Sequence, residues 1–434
     1  MELEATTKRP RAARSSSPMA GEPDRLSALP DSLLHTIMSY MKARQVVQTC
    51  VLSTRWKHLW RSVPCLDLDL GEFRDDEDSD SHNSCYKDWE HFEDFAINLM
   101  IRHNIALLES FRLHAYRVDG HAPHYARERS STWVCGAIKY CAPDPGIQRE
   151  GSRSNSWRMK RLYLCNILLD NRFARHVSSA CHSLEDLELK KCRFELNTIT
   201  SHSLKNLVFT NCEFNDLSDI TSSTLKSLVI DNRLWTSDLL VINAPAIAYL
   251  RLSIDSRDFN CISINEMPSL VKASIHLRGY RGSVTESELG HNQFKLLCSV
   301  SNATCLELSN LETMVHSEDS TTFKEFRNLR NLLLDKCDLS DDFQTLVLFL
   351  LNSPNLEKLT LRCCKFSNDS KKKKGTPKPK KTSSSQCRSL DVQCVNLKLT
   401  EIIYKDDDVR QLVELLLRIS GNLPKNHLKL RKVD

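Results

Sequence analysis

One eleven-residue pattern, repeated four times, constrains this chain more than any other feature. Leu184-x-x-Leu187-x-Leu189-x-x-Cys192-x-Phe194 returns as Leu204-x-x-Leu207-x-Phe209-x-x-Cys212-x-Phe214. It appears again as Leu329-x-x-Leu332-x-Leu334-x-x-Cys337-x-Leu339 and as Leu356-x-x-Leu359-x-Leu361-x-x-Cys364-x-Phe366. The two apolar residues spaced by two are the inward face of a short strand, and the preceding Leu turns the chain into it. A strand this short cannot bury a face alone, so successive copies must stack.

Looser copies keep the first three apolar positions: Met159, Leu162, Leu164; Leu225, Leu228, Ile230; Ile247, Leu250, Leu252; Leu270, Ala273, Ile275; Ala303, Leu306, Leu308; and Leu399, Ile402, Tyr404. From Leu162 to Leu359 the second apolar positions recur at intervals of 20 to 27 residues, with one of 33. This is the leucine-rich-repeat range, and the fold class it predicts is an α/β repeat: a curved solenoid with a parallel sheet. Cys192, Cys212, Cys337 and Cys364 fall where a small group meets the backbone at the strand's end, so they are expected to be structural and buried.

The 434 residues exceed what one hydrophobic core of ordinary size needs, and the composition divides them. Residues 1–23 hold Lys8, Arg9, Arg11, Arg14 and a serine run, with almost nothing to bury, and are expected to be a disordered basic tail. Residues 24–63 turn helical, with Leu33, Leu34, Ile37, Met38 and Met41 on one face and Pro30 in the first turn. A second short helix carries Val46, Val47, Cys50 and Val51; a third, with Ser53 or Thr54 as N-cap, carries Trp56, Leu59 and Trp60. Three helices in about 40 residues are marginal alone, so a partner is expected.

Residues 64–158 contain an acidic run, Asp75 to Asp80, then a helical stretch and Leu108, Phe111 and Leu113, and are assigned to a linker and first irregular repeats. Residues 159–366 are the repeats, 367–389 a Lys/Ser/Pro-rich loop, and 390–434 the last repeat and a C-terminal cap containing Val409, Leu412, Val413, Leu416 and Leu417.

The segments Asp24-Arg25-Leu26-Ser27-Ala28-Leu29-Pro30-Asp31-Ser32-Leu33-Leu34 and Val51-Leu52-Ser53-Thr54-Arg55-Trp56-Lys57-His58-Leu59-Trp60 resemble the F-box of plant F-box/leucine-rich-repeat proteins. Leu397 to Leu417 is weakly similar to the FBD region of many such proteins. The resemblance implies a non-catalytic substrate-recognition subunit of a Skp-cullin-F-box ubiquitin ligase. In that family the F-box docks on a Skp-type adaptor, which connects it to cullin and a RING subunit. The repeats hold the protein to be ubiquitinated and degraded. By position, Leu29, Pro30, Leu33, Leu34 and Ile37 would make the first adaptor contact; Val47, Cys50, Val51 and Trp56 either join it or hold the helices together.

The residue between each inward pair points to the opposite, concave face of the sheet. Tyr163, Glu188, Val208, Val229, Arg251, Ser274, Glu307, Leu333 and Thr360 are therefore the candidate target-binding residues. They mix aromatic, apolar and both signs of charge, which suits a protein surface of unknown identity. A repeat scaffold that binds proteins without ligase assembly is the alternative.

No cofactor and no metal are expected. His121, His124, Cys135 and Cys141 match no regular zinc spacing, and Gly279-Tyr280-Arg281-Gly282 lacks the phosphate-loop signature. The 17 Cys are odd in number and contain no Cys-x-x-Cys pair, which fits reduced thiols. The longest apolar run, Leu346 to Leu351, is too short to cross a bilayer. The basic runs Lys8 to Arg14 and Lys371 to Lys381 favour the nucleus over the cytoplasm. With no groove-reading motif beside them, they do not make the protein a nucleic-acid binder.

Overall fold

The computed structural model describes residues 26, 28–73, 82–104, 107–115, 134, 158–179, 181–232, 239–255, 261–278, 296–311, 323–340, 343–366, 396–405, 412–414, 416–417 and 427–433. The tail 1–23, the run Asp75 to Asp80, His121, His124, Cys135, Cys141, Gly279 to Gly282, the stretch 367–389 and Val409 lie outside them.

A helical module opens the chain: α1 (Asp31–Met38), α2 (Ala43–Gln48) with a 3-10 turn over Thr49–Val51, then the one-turn α3 (Trp56–Leu59) and a 3-10 turn over Trp60–Ser62. Pro30 sits just outside α1 as its N-cap, with extended backbone. The residue before α3 is Arg55, already helical in conformation, so neither Ser53 nor Thr54 caps it. Arg55 does the tying instead. Its guanidinium donates to the Leu29 carbonyl at 2.6 Å and to the Asp31 carboxylate at 3.1 Å through Nε, locking the start of α3 to the start of α1.

Thirteen described strands then form one all-parallel sheet. Their order is β1 (Cys65–Asp69), β2 (Ser110–His114), β3 (Arg161–Cys165), β5 (Asp186–Lys190), β8 (Asn206–Thr210), β11 (Ser227–Asp231), β13 (Tyr249–Asp255), β15 (Lys272–Arg278), β16 (Cys305–Ser309), β17 (Asn331–Asp335), β18 (Lys358–Arg362), β19 (Leu399–Tyr404) and β20 (His427–Lys432). The strands skipped here build two smaller parallel sheets: β4 (Leu168–Asp170), β6 (Arg193–Glu195) and β9 (Glu213–Phe214); and β7 (Thr198–Thr200), β10 (Asp219–Thr221), β12 (Leu240–Asn243) and β14 (Ile262–Ile264). Ile199, Ile220, Ile242 and Ile264 stand in register across the second of these. Helices α4 (His82–Arg102), α5 (Asn171–Ser179) and α6 (Gln344–Leu351) fill other connections.

Each copy of the sequence pattern becomes one strand of the large sheet, and its two inward residues are buried. Each fully buried Leu contributes about 1.5–3 kcal/mol. The pattern's eleventh position adds aromatic stacking: the rings of Phe194 and Phe214 lie parallel at 5.2 Å, with Phe209 edge-on to Phe214.

After six described strands of the large sheet the chain turns sharply. Asn166, Lys191, Asn211, Asn310, Lys336 and Cys363 take left-handed backbone angles there, φ 51–62°. The residue after the bend then meets the preceding repeat. Cys192 donates its thiol to the Leu164 carbonyl at 3.4 Å, Cys212 to Leu189 at 3.2 Å, Cys337 to Leu308 at 3.6 Å and Cys364 to Leu334 at 3.4 Å. The cysteines thus join neighbouring repeats where the chain leaves the large sheet.

The last repeat is registered differently from the sequence expectation. The spacing suggested Leu399, Ile402 and Tyr404; the pairing sets Thr400 opposite Leu359 and Ile402 opposite Leu361. The repeat is therefore Leu397-x-x-Thr400-x-Ile402, and the polar Thr400, fully buried, conceals it from a hydrophobic pattern.

Cys192, Cys212, Cys337 and Cys364 are buried, while Cys50 and Cys261 are half-exposed. Burial pushes the Cys192 thiol up, and its hydrogen bond with Cys337 followed by burial pushes Cys364 up. In native protein the four repeat cysteines should react with a maleimide at least about tenfold more slowly than Cys50, as followed by peptide-resolved mass spectrometry. Labelling of all four at the rate of Cys50 would contradict the proposed stacking role.

Candidate functional site

Two surfaces stand out. The first is on the helical module, where the sequence nominated nine residues. Leu34 and Trp56 turn into the module's own core, 0% and 3% exposed, against Met38, Val46 and Leu59. Trp56 thus takes the helix-holding place that was one of its two readings, and Leu34 joins it in the core: an i, i+3, i+4 pattern fills a core stripe and cannot say where that stripe stops. Leu29, Val47 and Cys50 are half-buried, and Pro30 is exposed. Leu33 (49% exposed), Ile37 (43%) and Val51 (83%) present apolar side chains to solvent. Leu26, Tyr40 and Leu52 extend the exposed set. The sequence reading missed these three, although their signal is plain: so short a module has more apolar residues than its small core can hold. So small a module exposing this much apolar surface marks an interaction site.

The second surface is the outer face of the large sheet. All nine nominated residues occupy one register row across nine adjacent strands, from Tyr163 opposite Glu188 through Val208, Val229, Arg251, Ser274, Glu307 and Leu333 to Thr360. Glu188 and Arg251 are exposed and the other seven half-buried. The row runs on to Asp67 and Arg112 at one end and to Glu401 and Lys429 at the other. Asp67 and Arg112 were legible in principle, because Val63-x-x-Leu66-x-Leu68 and Leu108-x-x-Phe111-x-Leu113 carry the repeat spacing.

Ion pairs lace the row to its neighbours. Lys272 meets Glu307 at 2.6 Å, Lys358 meets Glu401 at 3.7 Å, and Arg362 grips Asp335 with Nε at 2.9 Å and Nη2 at 3.1 Å. These are solvent-exposed pairs worth about 0–1 kcal/mol each, so they shape the surface more than they hold the fold.

The two surfaces are joined through β1. Lys42, the residue before α2, places Nζ 3.1 Å from Asp67 and 3.0 Å from Asp69 on β1. Its pKa is raised, because these carboxylates outweigh the opposing effect of partial burial. Arg44 lies over the Phe73 ring at 4.8 Å. Beyond the sheet edge, buried His103 after α4 bonds through Nε2 to the Val63 carbonyl at 2.9 Å, while its Nδ1 has no partner among the described residues.

Among the described residues no three His, Cys, Asp or Glu side chains converge as a metal site would, and no helix is long and apolar enough to cross a membrane.

Comparison with known proteins finds the F-box domain over residues 26–68. The chain is 30% identical to the meiotic F-box protein MOF of Oryza sativa subsp. japonica over 446 aligned positions, covering 95% of this chain and 86% of that protein. It is 28% identical to an F-box/FBD/LRR-repeat protein of Arabidopsis thaliana, covering 78% and 77% of the two chains. It is also 28% identical to a putative FBD-associated F-box protein of the same plant, covering 93% and 96%.

The His103 junction should titrate. Burial depresses its pKa to about 4, with the Val63 bond opposing only in part. The unfolded chain takes the proton near pH 6.5 and the folded one resists it, so this stability is present above pH 6.5 and lost as pH falls towards 4. Urea unfolding should show about 2 kcal/mol lost between pH 7.5 and 5 at this site, a loss absent in His103→Gln. Equal slopes in the two proteins would refute the assignment.

Proposed function

The chain belongs to the plant F-box protein family, and from that premise we propose that it is the substrate-recognition subunit of a Skp-cullin-F-box ubiquitin ligase. The observation that carries this is the exposed apolar set Leu33, Ile37 and Val51 inside the matched F-box. A Skp-type adaptor covers that set together with Leu29, Pro30, Val47 and Cys50, and links the chain to cullin and a RING subunit. Leu34 and Trp56 act from within by holding the helices in place.

The large sheet is one flank of a curved leucine-rich-repeat solenoid, and its outer row from Tyr163 to Thr360 holds the target. The division at 24–63, 64–158, 159–366 and 390–434 belongs to the same proposal, with the solenoid's first strands, β1 and β2, inside 64–158. The chain itself does no chemistry. It raises the local concentration of a target lysine beside a conjugating enzyme carried by other subunits. The basic runs Lys8 to Arg14 and Lys371 to Lys381 support a nuclear location.

The test is capture of a purified Skp-type adaptor. Leu33→Asp with Ile37→Asp should weaken capture at least about thirtyfold, since even one interface anchor costs about 2 kcal/mol or more. The thermal transition should not move, because both side chains are exposed. Glu188→Lys, Arg251→Glu and Tyr163→Ala together should leave adaptor capture intact and reduce ubiquitination of the cellular target. No adaptor capture by the unsubstituted chain would favour the repeat scaffold that joins no ligase, and capture unchanged by the first pair would overturn the assigned adaptor surface.

A further inference from the structure

The outer face is not uniform. At its end nearest the helical module lies a depression of about 600 Å³, which Lys42 of the module helps to line. Its floor includes Tyr163, whose ring lies 4.6 Å from that of His114. Burial holds the Tyr163 phenol well above its ordinary range and the His114 imidazole below its own, so both rings are neutral near pH 7.

Charge of opposite sign lines neighbouring strands. Arg112 on β2 and Arg161 on β3 form a cationic wall beside Asp67 of β1; Asp186 and Glu188 on β5 form an anionic wall next to it, with Asp186 directly across from Arg161. Some of this charge is already engaged. Lys42 is held by Asp67 and Asp69, Arg112 lies 4.0 Å from Asp67, and Asp186 accepts from Asn206 at 2.5 Å. No ion pair among the described residues engages Arg161 or Glu188, and both are exposed.

This arrangement selects among ligands. A phosphate-rich strand or a small anion drawn to Arg161 would face the two carboxylates of β5, and like charges set close together are costly. A cationic peptide would meet Arg112 and Arg161. A ligand with both signs satisfies both walls. On an extended chain, side chains two residues apart point the same way about 6.5–7 Å apart, and adjacent strands lie about 4.8 Å apart. A segment crossing the strands therefore moves from the cationic wall to the anionic wall in about two residues.

We propose that this depression is the target-selecting subsite. It takes an extended segment of the target protein with an acidic side chain over Arg161 and Arg112 and, two residues away, a basic side chain over Glu188 and Asp186. The inference rests on the outer face being the target surface, and it adds the chemistry that the face reads.

A displayed library of random twelve-residue peptides, selected against the full chain, tests it. Selected peptides should be enriched in an acid-x-base or base-x-acid pair. Glu188→Lys should shift the enrichment to acid-x-acid and Arg161→Glu to base-x-base. Each variant should bind the wild-type selectants at least about tenfold more weakly, with an unchanged circular dichroism spectrum. No enrichment, or a charge pattern indifferent to both substitutions, overturns the subsite. Arg251→Glu with Thr360→Arg, which lie outside the depression, separates this failure from the broader one. If that pair abolishes target capture while Glu188→Lys and Arg161→Glu do nothing, the face stands and the subsite falls. If none of the four matters, the face itself is wrong.

Discussion

Parallel main-chain pairing, held in one register from β1 to β20, is the constraint on which everything else depends. Because each strand meets the next without slippage, inward residues meet only inward residues and the middle outward residue of every strand joins one row. A slip of one residue in any repeat would send its two inward side chains to the outer face. In four repeats the left-handed bend after the strand and the thiol of the following Cys fix where the repeat must stop. Register is thus set at strand ends as well as by the buried face.

Much of this was legible beforehand. The spacing of Leu187, Leu189 and Cys192, returning at Leu207, Phe209 and Cys212, identified strand, face and turn together, and so identified the row of outward residues. What stayed hidden was hidden for physical reasons. Thr400 occupies an inward position but is polar, so the last repeat was read two residues late. Leu34 and Leu33 are neighbours of the same residue type, and only the packing of α1 against α3 decides which one is buried. Lys42 reaches across to β1 through a long, flexible side chain, a contact that no periodicity encodes.

The two surfaces differ in kind. The module's surface is apolar and small, suited to a partner that completes an undersized core. The sheet's surface is polar, charged in both senses and long, suited to recognition by complementarity. The Lys42 bridge to Asp67 and Asp69 sets the first against the second at the β1 edge, so partners bound on the two surfaces would be held at a fixed offset. On the proposed function, that offset is what the chain contributes.

Hydrogen–deuterium exchange of the full chain, with and without a saturating purified Skp-type adaptor, tests this separation of surfaces most directly. The account predicts that the adaptor slows amide exchange across residues 28–52, in α1, α2 and the turn to Val51, and leaves β3 to β18 unchanged. Protection spread over the strands of the sheet, with none in α1 and α2, would contradict it.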